Sequence, residues 1–124
     1  MKTIPKISDS EWKIMKILWR QAPKPAYDIA EEAGDKEGWD IRTVKTFLSR
    51  LVKKGAISYT KYKNLYLYFP IISEQKSKEM QGQSFLNQVF DGSVEDMFVH
   101  FAKTRKLSED KVEELRRIIE DMED

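Results

Sequence analysis

The sequence predicts a mainly α-helical chain with one small β-hairpin, and three observations carry that expectation. Apolar residues recur at helical spacing as far as Lys54, the period changes to two between Ala56 and Phe69, and helical spacing returns from Ser73 onward. With 124 residues, 40% of them hydrophobic and 35% charged, there is material for one ordinary domain, or a small domain with an appendage.

The first helix is announced by Ser8 with Glu11 three residues later, a capping box in which each side chain satisfies an orphan donor of the first turn. Trp12, Ile14, Met15, Ile17, Leu18 and Trp19 carry it to about Arg20, after which Pro23 and Pro25 break the pattern. A second, short helix is expected from Pro25 or Ala26, with Ile29 and Ala30 inward, Gly34 as its stop and Asp35 to Gly38 as a polar loop. Asp40 caps a third helix, in which Ile41, Val44, Phe47, Leu48, Leu51 and Val52 form one stripe, and Gly55 ends it. Alternation then makes Ala56 to Lys61 one strand and Leu65 to Phe69 its antiparallel partner, joined by Tyr62-Lys63-Asn64 and ended by Pro70. Three short helices followed by a hairpin outline a winged helix-turn-helix over residues 1–70, with the third helix as reader and the hairpin as wing.

From Ser73 to about Phe90 a helix is polar at first and apolar later, at Phe85, Leu86, Val89 and Phe90. Gly92 and Ser93 reset the chain, Val94, Met97, Phe98 and Phe101 mark a further helix, and Ser108 caps a last one striped by Val112, Leu115, Ile118, Ile119 and Met122. Three helices of this kind expose more apolar surface than they can hide against one another. Residues 71–124 are therefore expected to be a helical dimerisation region, through Phe85, Val89, Phe98, Phe101, Leu115, Ile118 and Ile119.

Charge divides along the same line. Residues 1–70 hold 14 Lys/Arg against 8 Asp/Glu, whereas residues 71–124 hold 8 against 13. Between residues 41 and 63 stand Arg42, Lys45, Arg50, Lys53, Lys54, Lys61 and Lys63 with no acid among them, which points to a polyanion. On a helical wheel Arg42, Thr43, Thr46, Ser49, Arg50 and Lys53 fall within an arc of about 120°, opposite the apolar stripe and with Lys45 at its edge. Arg and Lys reach guanine or phosphate, Ser and Thr offer hydroxyls to phosphate, and Thr adds a methyl for thymine. The face suits the major groove of double-stranded DNA, and Lys61 and Lys63 extend it onto the wing. The alternative, a winged helix used as a protein-interaction module, predicts an acidic or apolar face there.

Other classes are excluded. There is no cysteine, which removes disulfides, Cys-ligated metals and thiol nucleophiles, and one histidine, His100, makes no His-cluster site, so neither metal nor other cofactor is expected. Asp96 lies one helical turn before His100, but a lone pair on an acidic surface reads as an exposed histidine beside a carboxylate. Trp12, Trp19 and Trp39 read as core and support residues rather than a stacking platform. No carboxylate is paired with a nucleophile or phosphate loop, so an enzyme is not expected. With no apolar h-region in Met1 to Ser10 and no run of membrane-spanning length, a cytoplasmic protein without membrane insertion is the expectation.

Three stretches, ISDSEWKIMKILW (7–19), WDIRTVKTFLSRLVKKGAI (39–57) and YLYFP (66–70), resemble the penicillinase repressor family of bacteria, the BlaI/MecI/CopY repressors. FDGSVEDMFVHF (90–101) and KLSEDKVEELRRII (106–119) are similar to its C-terminal half, so the likeness covers nearly the whole chain in the family's order. It implies a dimeric winged-helix repressor on operators with a TACA/TGTA core, with Arg42, Thr43, Lys45, Thr46 and Arg50 on the reading helix and Lys61 and Lys63 on the wing. This chain has Asn64-Leu65 where the family often has Gly-Arg. It also lacks the C-terminal cysteine cluster of the copper-responsive branch. In the antibiotic-responsive branch a membrane-anchored metallopeptidase receptor starts a response that ends in cleavage of an Asn-Phe bond in the second C-terminal helix; the matching pair here is His100-Phe101.

Overall fold

The structure, a computed structural model, describes residues 4–104 and 107–122. Met1 to Thr3, at the start of the N-terminal stretch, and Lys106, which opens the last family-like stretch, lie outside them. The chain divides into two compact units, residues 1–81 and 82–124. The described residues form six helices and one hairpin, in the order α1 (Asp9–Arg20), α2 (Ala26–Glu37), α3 (Ile41–Lys53), β1 (Ile57–Tyr62), β2 (Leu65–Pro70), α4 (Glu74–Phe90), α5 (Val94–Thr104) and α6 (Glu109–Met122).

In the first unit the capping box starts α1 as expected: Glu11 N–H donates to Ser8 Oγ at 3.2 Å and Ser8 N–H to Glu11 Oε1 at 3.0 Å. Asp40 caps α3, its Oδ1 accepting from Thr43 N–H at 2.8 Å. Ile14, Met15 and Leu18 of α1, Ile29 of α2, Val44, Leu48 and Leu51 of α3 and Ile57 of β1 make one fully buried core, with all three tryptophans packed against it. The hairpin is tied to this core at its base. Lys24 and Tyr68 exchange backbone hydrogen bonds of 3.0 and 2.8 Å, and Trp19 Nε1 donates to the Ile72 carbonyl at 3.0 Å.

Three expectations are corrected. Helix α2 runs three residues past Gly34, through most of the expected loop, and stops at Gly38, whose φ of 68° makes it the left-handed cap. Gly34 keeps helical backbone, and Lys13 and Glu37 close a 2.8 Å ion pair between α1 and the added turn. Ile41, assigned to the buried stripe, is exposed at the first position of α3, where no preceding turn covers it. Tyr62 belongs to β1, because the connection needs only Lys63 and Asn64: the register pairs Tyr62 with Leu65 and Ile57 with Pro70.

The second unit holds the later part of α4 with α5 and α6. Asp91 (φ 52°) and Gly92 (φ 83°) turn the chain between α4 and α5. Ser93 caps α5 by accepting from Asp96 N–H at 3.1 Å, and Ser108 caps α6 by accepting from Lys111 N–H at 3.3 Å. Among the described residues of this unit only Leu86 is buried; α5 and α6 bury no side chain.

Candidate nucleic-acid interface

Helix α3 presents its polar side because Val44, Leu48 and Leu51 fix the opposite side in the core. Arg42, Lys45, Thr46, Ser49, Arg50 and Lys53 line one shallow concavity of about 590 Å³. Thr43 stands apart from it, half-buried, its N–H spent on the Asp40 cap. That cap, with the backbone N–H of Thr43 as the main cause, holds the Asp40 carboxyl below the ordinary 3.8. Its charge is thereby committed to the helix N-terminus.

Among the described side chains, which do not include that of Asp35, no carboxylate lies within ion-pair distance of Arg42, Lys45, Arg50, Lys53, Lys61 or Lys63. The seventh cation of the basic stretch behaves differently. Lys54 turns its ammonium inward, donating to Glu11 Oε1 and, at 3.0 Å, to the Lys6 carbonyl. It anchors the end of α3 to the start of α1, a role that charge spacing along α3 does not reveal.

The hydroxyls are also partly committed. Thr46 Oγ1 donates to the Arg42 carbonyl at 3.1 Å, which leaves its methyl and lone pairs facing outward. Arg50 lies 5.9 Å from the centroid of Phe47, an aromatic contact that steadies the guanidinium on the face.

Beside α3 a second cleft, of about 430 Å³, opens toward the wing, with Lys45 and Lys61 on its rim and Ile41, Leu65, Tyr66 and Tyr68 among its walls. Tyr59 and Tyr68 pair across the strands and Tyr66 packs on Tyr59 at 4.7 Å, so one face of the hairpin is a tyrosine ladder. Burial, with the two neighbouring phenols, pushes the Tyr68 hydroxyl above its ordinary 10.0 and keeps it protonated. Lys63 sits at the hairpin tip. Charge spacing does not reveal this aromatic side of the wing; its signal in the sequence is the alternation of Tyr59, Tyr66 and Tyr68 along two paired strands.

In the second unit Phe85, Val89, Phe98, Phe101, Ile118 and Ile119 are exposed and Leu115 is half-buried. Phe98, Leu107, Val112, Leu115 and Ile119 wall an apolar groove of about 300 Å³. His100 and Phe101, on α5, both touch Phe90, with ring centroids 5.7 and 6.1 Å away. Among the described residues no three His, Cys, Asp or Glu side chains converge as metal ligands, and no helix is long and apolar enough to cross a membrane.

The chain matches the family described as penicillinase repressor over residues 7–121. It is 34% identical to the penicillinase repressor of Bacillus licheniformis over 98% of this chain and 94% of that protein. It is 33% identical to the methicillin resistance regulatory protein MecI of Staphylococcus aureus over 91% of this chain and 92% of the other. Among solved structures, the monomeric form of Bacillus licheniformis BlaI in complex with the blaP half-operator superposes with a TM-score of 0.52 and 36% identity, covering 60% of this chain and 92% of that one. The chain therefore belongs to the penicillinase repressor family.

Proposed function

We propose that this chain is a sequence-specific DNA-binding transcriptional repressor that works in the cytoplasm as a homodimer on a palindromic operator with a TACA/TGTA-like core. The observation that carries the reading is the polar face of α3, where four cations and two hydroxyls share one concavity with no carboxylate among the described side chains against them. Its relative BlaI, at 36% identity, is a protein solved on a DNA half-operator. In this reading α3 enters the major groove, with Arg42, Lys45 and Thr46 toward base edges and Ser49, Arg50, Lys53, Lys61 and Lys63 toward phosphates; Thr43 supports the helix start. The test is fluorescence anisotropy on a duplex of about 30 base pairs carrying inverted TACA and TGTA half-sites one or two helical turns apart. Tight binding that falls steeply with salt, and is much weaker on a scrambled duplex, is expected. Equal affinity for both duplexes at about 150 mM salt overturns it.

Residues 71–124 supply the dimer. An apolar surface on α4, α5 and α6 with almost no burial of its own supports a second copy as its cover, since an obligate interface resembles a divided core. Leu115→Asp with Ile119→Asp should give a monomer by sedimentation that binds the operator poorly. A wild-type monomer at micromolar concentration overturns the assignment.

Repression is relieved by cutting between His100 and Phe101, in the middle of α5, by the response that a membrane-anchored metallopeptidase sensor starts. Both side chains are exposed, but the bond lies within helical backbone, so a peptidase needs the helix to open locally.

A further inference from the structure

The wing ends in a surface that the cationic reading leaves unused. Because β1 and β2 are joined through Lys63 and Asn64 alone, Tyr62 and Leu65 face each other across the last rung of the hairpin. They are 61% and 41% exposed, two large side chains at the free end of the element. Lys63 takes a φ of 57°, the left-handed region that a lysine rarely adopts, and its ammonium lies 5.5 Å from the centroid of the Tyr62 ring. One rung back, Lys61 lies 5.9 Å from the Tyr66 ring. The tip is thus an aromatic and apolar edge flanked by two ammonium groups, continuous with the cationic face of α3 through the cleft that Lys45 and Lys61 share.

Those properties fit one part of a DNA duplex. A groove about 6 Å wide admits side chains from a hairpin tip but not its backbone, and the minor groove of A·T pairs lacks the guanine amino group that would obstruct them. Apolar side chains that enter a minor groove lodge against base steps and are best accommodated where the steps deform easily. Flanking lysines then meet the phosphates on either rim.

We propose that Tyr62 and Leu65 form a wedge that reads the minor groove beside the half-site held by α3, giving this protein a preference for A·T pairs in the flank. The proposal rests on the repressor reading above. Its chemistry is contact and shape, and Lys61 and Lys63 contribute attraction without choosing the base.

The test uses the full chain and the inverted TACA/TGTA duplex, with the base pairs under the wing set to A·T, G·C or inosine·C. Inosine·C keeps the major-groove pattern of G·C and removes the minor-groove amino group. Wild-type protein should bind the A·T and inosine·C flanks about 10-fold more tightly than the G·C flank. Tyr62→Ala with Leu65→Ala should bind all three alike, while Tyr62→Phe keeps the wild-type order. An unchanged thermal midpoint is expected for each variant, because both side chains sit at an exposed tip. If inosine·C behaves as G·C, or the double alanine variant keeps the full preference, the wedge is wrong. If the wild type ignores the flank but still prefers the intact core over a scrambled one, the wedge falls and the repressor reading stands. If it does not distinguish the cores, both fall.

Discussion

Lys54 shares its stretch of sequence with six cations that face solvent, and what separates it from them is a partner 43 residues earlier. Glu11 is 1% exposed: burial pushes its carboxyl up, but hydrogen bonds from Lys54 and Ser8 outweigh that and hold it below the ordinary 4.5. A carboxyl whose folded pKa is depressed contributes stability that is present above its unfolded value and lost as pH falls through the folded one. Glu11→Gln should therefore destabilise the protein at pH 7 and converge with wild type well below pH 4.5. The expected cost is about 1–2 kcal/mol by urea unfolding, less than the roughly 3–5 of a fully enclosed pair because Lys54 keeps part of its side chain in water. The same geometry separates neighbours in DNA binding. Lys53→Met should lower the slope of log affinity against log salt by about 1, whereas Lys54→Met should leave it unchanged. Thr46 makes a further distinction. Its hydroxyl proton is committed to the Arg42 carbonyl, so in the proposed complex a base can meet only its methyl or a remaining lone pair; if the methyl makes the contact, Thr46→Val should keep the sequence preference that Thr46→Ser loses, by about 1–3 kcal/mol at one base pair in a competition assay. The helical wheel showed which residues share the outer face, because that follows from 100° per residue. It was silent on Lys54 and Thr46, whose bonds go to atoms that the wheel does not contain.

At the level of elements, the starts of helices were easier to read than their ends. Ser8, Asp40, Ser93 and Ser108 cap from the side chain, so residue type and spacing announce them before any tertiary contact forms. The end of α2 depends instead on which of two glycines takes a positive φ. Both have the composition of a stop, but Lys13 draws Glu37 into helix register and Gly38 turns the chain. Gly34→Ala meets no atom within 4 Å and should stabilise the protein by about 0.5–1 kcal/mol, as in any helix interior. Gly38→Ala, at φ 68°, should destabilise it by about 1 kcal/mol, and thermal unfolding of the two variants in opposite directions is the check. The hairpin was legible from its period of two, with an error of one residue at the tip. That single residue matters, since placing Tyr62 in β1 sets it directly opposite Leu65.

Across the whole molecule, charge and burial divide the chain in the same sense, a basic unit with a closed core and an acidic unit with hardly any. The contrast is the physical basis for expecting one unit to hold DNA and the other to hold a second copy. In the proposed dimer each half-site is held by one α3 and one wing. Linking two of them turns the second binding step into an intramolecular one at millimolar effective concentration, worth about 10²- to 10⁴-fold in affinity. A cut between His100 and Phe101 touches none of the cations of α3 or the wing, yet it removes α6 and the last turn of α5, and with them Leu115, Ile118 and Ile119. It also detaches Phe101 from Phe90, so the apolar surface left on α4 loses a side chain that lies beside it. A chain ending at His100 should accordingly keep the fold of the first unit, with the thermal transition of its core, while its affinity for the two-site duplex drops by that factor of 10² to 10⁴. On a duplex with one half-site, the truncated and full-length chains should bind alike. Gel shifts on both duplexes decide the matter: equal affinity of the two chains for the two-site duplex would mean that α5 and α6 do not make binding tight, and relief of repression by this cut would have to be abandoned.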